Sequence, residues 1–351
     1  MDSLKVGIAG HGMVGKRRHS FIDLHPRLRV VAVSDQKYRG EAGEKNGIRR
    51  YGDFRELIAG ERLDAVFVCL PNQEAAEATM LGLEHGMHVF CEKPPGRNMD
   101  DIRAVREVEA RHPGLKLKYG FNHRYHDSVQ EALALVQTGG LGDIINMRGV
   151  YGKAVLAPKI DGIDDLSDPA YWRTRRIEAG GGILLDQGIH MVDLMRCFGG
   201  EFTDIKSFID NSFWKQDVED NAYALMRSEK GAVAMLHSSA TQWRHMFSLE
   251  LGLTRGSLIL SGILSSTKSY GQETLTVTHE VQAANGNPSQ TTTSYVQDNS
   301  WANEIEDFAA HIDEDSAVEI GNSMDALKTM ELVYRIYCAD EDWKTRYGLE
   351  V

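Results

Sequence analysis

The stretch KVGIAGHGMVG, residues 5–15, joins an apolar, β-rich run to three closely spaced glycines. Gly10, Gly12 and Gly15 form the pattern G-x-G-x-x-G directly after a predicted strand and at the start of a predicted helix. In this context the glycines permit a tight turn, the approach of backbone to a pyrophosphate, and close packing of helix on strand. The pyrophosphate is expected at the positive N-terminus of the helix. The residues predicted to bind a dinucleotide cofactor here are Gly10, His11, Gly12, Met13, Val14 and Gly15.

The alternation of strand and helix continues through the first 121 residues. Strands are predicted in the runs KVGIAG, VVAVSD, DAVFVCLP, HVFCEK and KLKYGF, with a helical segment after each of the first four. This order is typical of a parallel sheet that is covered by helices on both faces. We therefore predict a Rossmann domain, a doubly wound parallel α/β sheet, over residues 1–122.

After Phe121 the pattern changes, because most strands follow one another without intervening helices. Residues 144–152 and the runs FTDIKSFID, NAYALMRSEKGAVAMLHSSATQ, FSLELGLTRGSLILSG and ETLTVTHEV are predicted strands. Turns are expected at 229–231 and 255–256, and an exposed loop at 283–294. Consecutive strands predict a large, mostly antiparallel open sheet. Residues 123–351 are therefore assigned to a second domain of the α+β type.

Length, composition and charge restrict the class of protein. A chain of 351 residues favours about two domains. No run approaches the roughly 20 apolar residues that a membrane span requires. The net charge of -12 opposes binding to nucleic acid or to anionic membranes. The first residues lack the pattern of a secretory signal, which predicts a cytoplasmic protein.

A carboxylate at the end of the second predicted strand bears on the choice of cofactor. Asp35 follows the run VVAVS, at the position where an acidic side chain accepts hydrogen bonds from the adenosine ribose hydroxyls. Such a carboxylate repels a 2'-phosphate, so the sequence favours NAD over NADP. Lys37 and Arg39 follow closely and keep NADP open as the alternative.

A lysine closes the strand HVFCEK, in which Glu92 and Lys93 precede two prolines. In open parallel sheets ligands bind outside the carboxyl ends of the strands. Lys93 is therefore predicted to reach the cofactor crevice, with a solvated surface lysine as the alternative.

Residues 180–193 read GGGILLDQGIHMVD and place Asp186, His190 and Asp193 on one face of a predicted helix. A metal site would need three convergent ligands. Hydride transfer to a nicotinamide needs no metal, but it does require removal of a hydroxyl proton, a task suited to histidine. We interpret His190 as the general acid/base and Asp186 as the carboxylate that orients it, predict no metal, and assign Asp193 to packing. A purely structural helix face is the alternative. The three glycines are expected to let the chain pass close to cofactor or substrate.

Four motifs together resemble a known family. AGHGMVG, DAVFVCLPN, CEKPP and GGGILLDQGIH are similar, in order and spacing, to the glucose-fructose oxidoreductase / inositol dehydrogenase / rhizopine-catabolism (Gfo/Idh/MocA) group of NAD(P)-dependent sugar oxidoreductases. The resemblance implies a second domain that binds a sugar substrate and whose open sheet forms a homodimer or homotetramer. It also implies that Lys93 polarises the substrate hydroxyl, and that Asp186 and His190 are the catalytic aspartate and histidine.

The resemblance further implies cofactor contacts from strand ends. Pro71 and Asn72 match a T-P-N segment beside the nicotinamide, although Leu70 replaces the threonine and Ala75 stands where histidine is common. The residues assigned to the cofactor in this way are Leu70, Pro71, Asn72, Glu92 and Lys93.

Two polar segments supply candidate substrate ligands. Residues 119–128, YGFNHRYHDS, lie at the predicted domain junction, and residues 168–182, DPAYWRTRRIEAGGG, carry aromatics and arginines. Arginines clamp carboxylates or phosphates, so an anionic substrate such as a uronic acid or nucleotide-activated sugar is indicated, with solvated surface arginines as the alternative. The predicted substrate ligands are Lys93, Asn122, Arg124, Tyr171, Trp172, Arg173, Asp186 and His190.

Three functions are therefore open from the sequence. The leading one is an NAD-dependent dehydrogenase that acts on a secondary hydroxyl of a sugar or sugar derivative. An NAD-retaining glycoside hydrolase that acts by transient oxidation is the second, and a non-catalytic NAD-binding regulatory protein is the third. The joint presence of Lys93, Asp186 and His190 argues against the third.

Overall fold

The computed structural model describes residues 3–40, 43–157, 169–265, 268–280, 286 and 288–351. The chain divides into two compact units. The first unit comprises Met1–Asn122 and Trp301–Met330, and the second comprises His123–Ser300 and Glu331–Val351. The sequence placed residues 301–330 in the second domain, and this assignment is corrected by the structure.

The first unit is built on a seven-stranded sheet in the order β3-β4-β2-β1-β5-β6-β7. Every neighbouring pair is parallel except β3 and β4. The predicted Rossmann sheet is confirmed, and the β3–β4 hairpin at its edge is an addition. Its elements are β1 (Leu4–Ala9), α1 (Met13–Ile22), β2 (Leu28–Ser34), β3 (Gly43–Lys45), β4 (Ile48–Tyr51), α2 (Phe54–Gly60), β5 (Ala65–Val68), α3 (Asn72–Glu84), β6 (His88–Glu92), α4 (Met99–Glu109) and β7 (Leu117–Gly120).

The second unit is built on an eight-stranded sheet in the order β15-β14-β13-β12-β8-β11-β10-β9. Among the described strands of this sheet, β8 and β11 form the one parallel pair and the other neighbours are antiparallel. The predicted, mostly antiparallel sheet is therefore confirmed. Its elements are α5 (Asp127–Gln137), β8 (Ile144–Gly152), α6 (Arg176–Ala179), α7 (Ile189–Gly199), β9 (Phe202–Asp210), β10 (Asn221–Ser228), β11 (Val233–Ser239), β12 (Met246–Leu253), β13 (Gly256–Ser261), β14 (Glu273–His279) and β15 (Gln290–Tyr295).

Three helices complete the chain: α8 (Ser300–Asp313), α9 (Ser323–Cys338) and α10 (Glu341–Tyr347). Helix α8 joins the first unit because its apolar face enters the core of the Rossmann sheet. Phe308 meets Phe67 and Phe90 edge-on, with ring centroids 5.7 and 5.6 Å apart. An amphipathic pattern shows that a helix has a buried face but not which sheet it covers. No helix of the described ranges has the length and apolar character needed to cross a membrane.

The connections between strands differ from the sequence expectation at two places. Residues 290–294, which were assigned to an exposed loop, lie in β15 and pair antiparallel with β14. The run of threonines explains the strand, because β-branched side chains fit a pleated surface. Residues 283–285 and 287 lie outside the described residues. The turn between β12 and β13 is at 254–255, one residue earlier than expected, since Leu253 pairs with Gly256.

Candidate functional site

The glycine loop joins β1 to α1 in the first unit and leaves space for a ligand. Gly10 adopts φ +92°, and a Cβ there would lie 2.4 Å from the carbonyl oxygen of Cys69. A Cβ on Gly15 would lie 2.0 Å from the carbonyl oxygen of Gly10, so the turn's own backbone excludes a side chain. A Cβ on Gly12, the N-cap of α1, would meet no atom within 4 Å. The loop and the helix N-terminus therefore fit a pyrophosphate at Gly12.

The side chains of the loop do not all face the same way. Nδ1 of His11 lies 3.0 Å from the hydroxyl of Tyr38, and its Nε2 lies 2.9 Å from Nδ1 of His19. Burial, together with the charge of His19, lowers the pKa of His11 to about 4. His11 is therefore neutral at physiological pH and fixes the loop to neighbouring elements. Met13 is exposed and Val14 is partly buried.

Asp35 directly follows β2 and forms a local ion pair. Its Oδ1 accepts the backbone N–H of Lys37 at 3.1 Å, and its Oδ2 accepts Nζ of Lys37 at 2.9 Å. The same Nζ donates to the carbonyl oxygen of His11 at 2.7 Å. Lys37 therefore ties Asp35 to the glycine loop, and its charge is already engaged by a carboxylate.

The segment assigned to the nicotinamide edge borders the glycine loop. A Cβ on Gly10 would lie 3.1 Å from the backbone nitrogen of Leu70, which places the end of β5 directly beside the turn. Pro71 is the N-cap of α3, and Asn72 is buried at the start of that helix. Ala75, which stands where histidine is common in the family, is buried one turn further on.

The strand end that carries Lys93 is anchored by a buried charge network. Glu92 accepts Nε of Arg18 at 2.6 Å, and Glu304 of α8 accepts Nη2 of Arg18 at 2.6 Å. Arg18 is fully buried, and its guanidinium lies 4.3 Å from the ring centroid of Phe90. Burial outweighs the attraction of Arg18 and raises the pKa of Glu304 to about 7. Glu92, which the sequence assigned to the cofactor, is thus held by an internal arginine.

In the second unit, Arg124 and Asp193 form a buried bidentate pair. Nε of Arg124 donates to Oδ2 of Asp193 at 2.7 Å, and Nη2 donates to Oδ1 at 2.6 Å. This contact accounts for the packing role expected of Asp193 and gives Arg124 an internal partner. No cluster of three or more His, Cys, Asp or Glu side chains suited to a metal occurs in the part of the chain that the structure describes. Asn122, the last residue of this segment in the first unit, is buried.

Asp186 lies in a π-helical turn, Leu184–Gly188, that leads into α7. Lys153, directly after β8, donates its Nζ to Oδ2 of Asp186 at 2.8 Å. Nε of Arg173 lies 3.6 Å from Oδ1 of the same carboxylate. Single π-helical turns are frequent at functional sites. Sequence reasoning missed Lys153, because no local motif marks it and only the fold brings it to Asp186, 33 residues away.

His190 is buried against a stack of polar aromatic rings. Its ring lies parallel to that of His123, with centroids 3.8 Å apart. Nε2 of His123 lies 3.1 Å from the hydroxyl of Tyr151, whose ring is 5.3 Å from that of Tyr270. Burial raises the pKa of Tyr151 well above its ordinary value, and burial with the nearby Asp186 carboxylate raises that of Tyr270 to about 12. Both hydroxyls are therefore protonated at physiological pH.

The glycines before this turn allow close contact with a buried carboxyl group. Glu219 accepts the backbone N–H of Gly182 at 2.8 Å, that of Leu184 at 3.0 Å, and the hydroxyl of Tyr337 at 2.6 Å. A Cβ on Gly182 would lie 2.0 Å from the carbonyl oxygen of Glu219, and one on Gly181 would lie 2.4 Å from the hydroxyl of Tyr337. These contacts explain Gly181 and Gly182 by approach to protein, whereas the sequence assigned them to cofactor or substrate.

Tyr171, Trp172 and Arg173 lie in a short 3-10 segment, Pro169–Thr174. Tyr171 is buried. The guanidinium of Arg173 lies 4.2 Å from the ring centroid of Trp172, so the two side chains stack beside Asp186. The stacked pair is the part of this segment that the structure brings to Asp186.

The neighbouring arginines have internal partners. Arg175 makes two hydrogen bonds to the carboxylate of Glu178, at 2.7 and 2.8 Å. The guanidinium of Arg176 lies 4.1 Å from the ring centroid of Tyr347 and donates to the carbonyl oxygen of Gly180 at 2.9 Å. Two of the arginines that indicated an anionic substrate are therefore engaged by protein groups, whereas Arg173 lies beside Asp186.

Comparison with known proteins covers both units. Residues 4–121 match the model described as oxidoreductase family, NAD-binding Rossmann fold, and residues 129–259 match the GFO/IDH/MocA C-terminal domain. The 1,5-anhydro-D-fructose reductase of Ensifer adhaerens is 31% identical over 255 residues, which are 70% of this chain and 72% of that protein. The D-glucoside 3-dehydrogenase of Escherichia coli is 30% identical over 264 residues, 67% of this chain and 70% of that protein.

Solved structures share the fold. Levoglucosan dehydrogenase in complex with NADH and levoglucosan superposes with a TM-score of 0.82 at 21% identity, covering 97% of this chain and 98% of that one. The myo-inositol 2-dehydrogenase of Lactobacillus plantarum superposes with a TM-score of 0.77 at 21% identity, covering 97% and 98%.

Proposed function

The chain belongs to the Gfo/Idh/MocA family of NAD(P)-dependent oxidoreductases that act on CH–OH groups. From this membership we propose that it oxidises a secondary hydroxyl of a neutral pyranose sugar or glycoside. The proposal rests on the hydrogen bond from Lys153 to Asp186. Asp186 lies in the same helical segment as the buried His190. A histidine four residues after an oriented carboxylate in a helical segment is suited to moving a hydroxyl proton. A neutral substrate is favoured because Arg124, Arg175 and Arg176 are engaged by protein groups.

The proposed roles follow the chemistry of each side chain. NAD, when bound, supplies the acceptor for the hydride. His190 takes the proton of the substrate hydroxyl, and Lys93 hydrogen-bonds the same oxygen and stabilises its developing negative charge. Asp186 orients the histidine, while Lys153 holds that carboxylate in place.

A spectrophotometric screen tests this function. Purified protein with NAD and a panel of pyranoses and methyl glycosides is expected to form NADH. His190→Ala should lower kcat by at least about 100-fold, with little change in the affinity for NAD measured by fluorescence titration. His279→Ala, at an exposed histidine of β14, is the control and should behave like the original chain. Equal losses of kcat and NAD affinity would contradict the assignment.

The same screen separates the other two functions. Release of an aglycone without formation of NADH would identify a hydrolase that retains NAD. Binding of NAD without turnover of any sugar would identify a regulatory protein.

We propose NAD as the cofactor, on the basis of the carboxylate at the end of β2. Lys37 is engaged by Asp35, so a 2'-phosphate would have to displace this ion pair. We expect kcat/KM for NAD to exceed that for NADP. Asp35→Ser should bring the two values of kcat/KM closer, because it removes the repulsion between the Asp35 carboxylate and the 2'-phosphate of NADP. A chain that turns over only with NADP would refute this assignment.

We also propose that two copies of the chain associate through the open face of the second unit's sheet. The strands β9, β10 and β11 present exposed apolar side chains there: Phe208, Tyr223, Leu225 and Met235. A contiguous apolar surface of this kind is typical of an interface between proteins. Light scattering should show a homo-oligomer, and Leu225→Glu should dissociate it. Val296→Glu, at an exposed residue outside these strands, is the control.

A further inference from the structure

Three aromatic side chains of the second unit form a surface cluster that the proposed function does not use. We call Phe213, Trp214 and Trp243 the aromatic platform. The ring of Phe213 is perpendicular to that of Trp214, with centroids 5.0 Å apart, and to that of Trp243, with centroids 6.1 Å apart. Phe213 is exposed, and 78% of the surface of Trp243 is open. Single exposed apolar residues are common, but aromatic rings clustered at the surface indicate a binding function.

Trp214 is the anchored member of the platform. Nε1 of Trp214 donates to the carbonyl oxygen of Ala240 at 2.8 Å. The backbone N–H groups of Phe213 and Trp214 both donate to Oδ2 of the buried Asp220, each at 2.9 Å. The indole of Trp214 packs against a buried apolar cluster, which consists of Leu156, Ile183, Val218 and Ala240. The indole of Trp214 is therefore fixed, and the exposed ring of Phe213 contacts both this indole and that of Trp243.

Backbone hydrogen bonds connect the platform to the acid/base residues of the same unit. The N–H of Gln242 donates to the carbonyl oxygen of Lys153 at 3.0 Å, and the N–H of Lys153 donates to that of Ser239 at 2.8 Å. The side chain of Lys153 in turn holds Asp186 at 2.8 Å. Trp243 therefore directly follows the residue whose backbone pairs with Lys153. Two residues, Lys153 and Gln242, therefore link Asp186 to Trp243 through these hydrogen bonds.

We propose that the aromatic platform is a subsite for the non-reacting pyranose ring of a glycoside whose other ring is oxidised at the acid/base residues. This inference rests on the proposed function. The C–H face of a pyranose buries apolar area against an aromatic ring, while its equatorial hydroxyls stay in water. The exposed indole of Trp243 supplies the stacking surface, and the ring of Phe213 contacts it edge-on. The platform thus extends the substrate class from single sugars to disaccharides and longer glycosides.

Calorimetric titration in the presence of NADH tests the subsite without depending on turnover. The probes are methyl glucopyranoside as the one-ring ligand and methyl cellobioside and methyl maltoside as two-ring ligands. At least one two-ring ligand should bind more tightly than the one-ring ligand. Trp243→Ala should reduce this affinity ratio about two- to tenfold, the range expected for one aromatic stacking contact. Trp243→Phe should retain most of the ratio, and Val296→Ala should retain all of it.

The outcomes distinguish failure of the subsite from failure of the proposed function. If Trp243→Ala leaves the affinity ratio unchanged while methyl glucopyranoside still binds and yields NADH, the subsite is refuted and the dehydrogenase stands. If no probe binds and no sugar of the panel yields NADH, both proposals fail. If Trp243→Ala changes the molar mass measured by light scattering but not the affinity ratio, a second copy of the chain occupies the platform and the subsite is again refuted.

Discussion

The two units hold their functional segments by different physical means. In the first unit, the strand end that precedes Lys93 is held by charge, because the buried Arg18 bridges Glu92 and Glu304. In the second unit, the turn that carries Asp186 is held by hydrogen bonds to the buried Glu219, whose pKa is raised by burial. Removal of one member of a buried ion network leaves the remaining charges uncompensated. Removal of a hydrogen-bonded carboxyl leaves only its donors without an acceptor.

Replacement of Arg18 is expected to have the largest effect on stability. Arg18→Leu leaves two buried carboxyl groups without their cation, which costs roughly 3–5 kcal/mol in comparable buried networks. Chemical denaturation measures the free energy of unfolding. Arg97→Leu removes a partly exposed ion pair with Asp101 and should cost less than about 1 kcal/mol. Equal losses in the two variants would contradict the contrast between buried and exposed pairs.

Removal of the Glu219 carboxyl is expected to be the next largest change. Glu219→Ala leaves two backbone N–H groups and the hydroxyl of Tyr337 without their acceptor, at a cost of about 2–3 kcal/mol. Tyr337→Phe removes only one of these bonds and should cost about 1 kcal/mol. Denaturation of both variants measures the difference. Glu178→Ala, at the partly exposed partner of Arg175, is the control, and a loss as large as that of Glu219→Ala would refute this account.

Lys153→Met tests the cation that the sequence did not reveal. The change keeps the length of the side chain but removes the charge beside Asp186, so we expect kcat to fall about tenfold, or about 1.4 kcal/mol. The acid limb of the pH profile of kcat should move to higher pH, because loss of a nearby cation favours the protonated form of the adjacent carboxylate. Lys153→Arg should restore both values towards the original. A lower melting temperature with an unchanged pH profile would show a purely structural role.

The pH dependence of stability tests the charge network directly. The folded pKa of Glu304, about 7, lies above the ordinary 4.5. The stability that this group contributes is therefore fully present below pH 4.5 and is lost as the pH rises towards and through 7. Glu304→Gln should flatten the decline in unfolding free energy between pH 5 and pH 7.5 by about 2 kcal/mol. A decline that is unchanged in this variant would show that another group causes it.

The sequence predicts the two units unequally, and the reason is the range of the interactions involved. The glycine loop is visible in a few consecutive residues, since Gly10 and Gly15 are fixed by contacts within one turn. Lys153 pairs with Asp186, and Tyr270 lies within reach of its charge, only because the fold brings distant segments together, so no local pattern could identify them. The sequence assigns Arg124 to the substrate, and only the structure reveals its internal partner, Asp193. The catalytic roles, the sugar and the cytoplasmic location stay predictions.

The position of α8 has a consequence for the order in which the protein is synthesised and folds. Glu304 meets Arg18 across 286 residues of chain, and Phe308 enters the aromatic core of the Rossmann sheet. During translation the core of the first unit therefore stays incomplete, and Arg18 lacks Glu304, until the sheet of the second unit and α8 have been synthesised. The N-terminal 122 residues are consequently a poor candidate for a self-sufficient fragment. A gene that moves α8 next to Gly120 would test whether continuity in sequence speeds folding of the nucleotide-binding half.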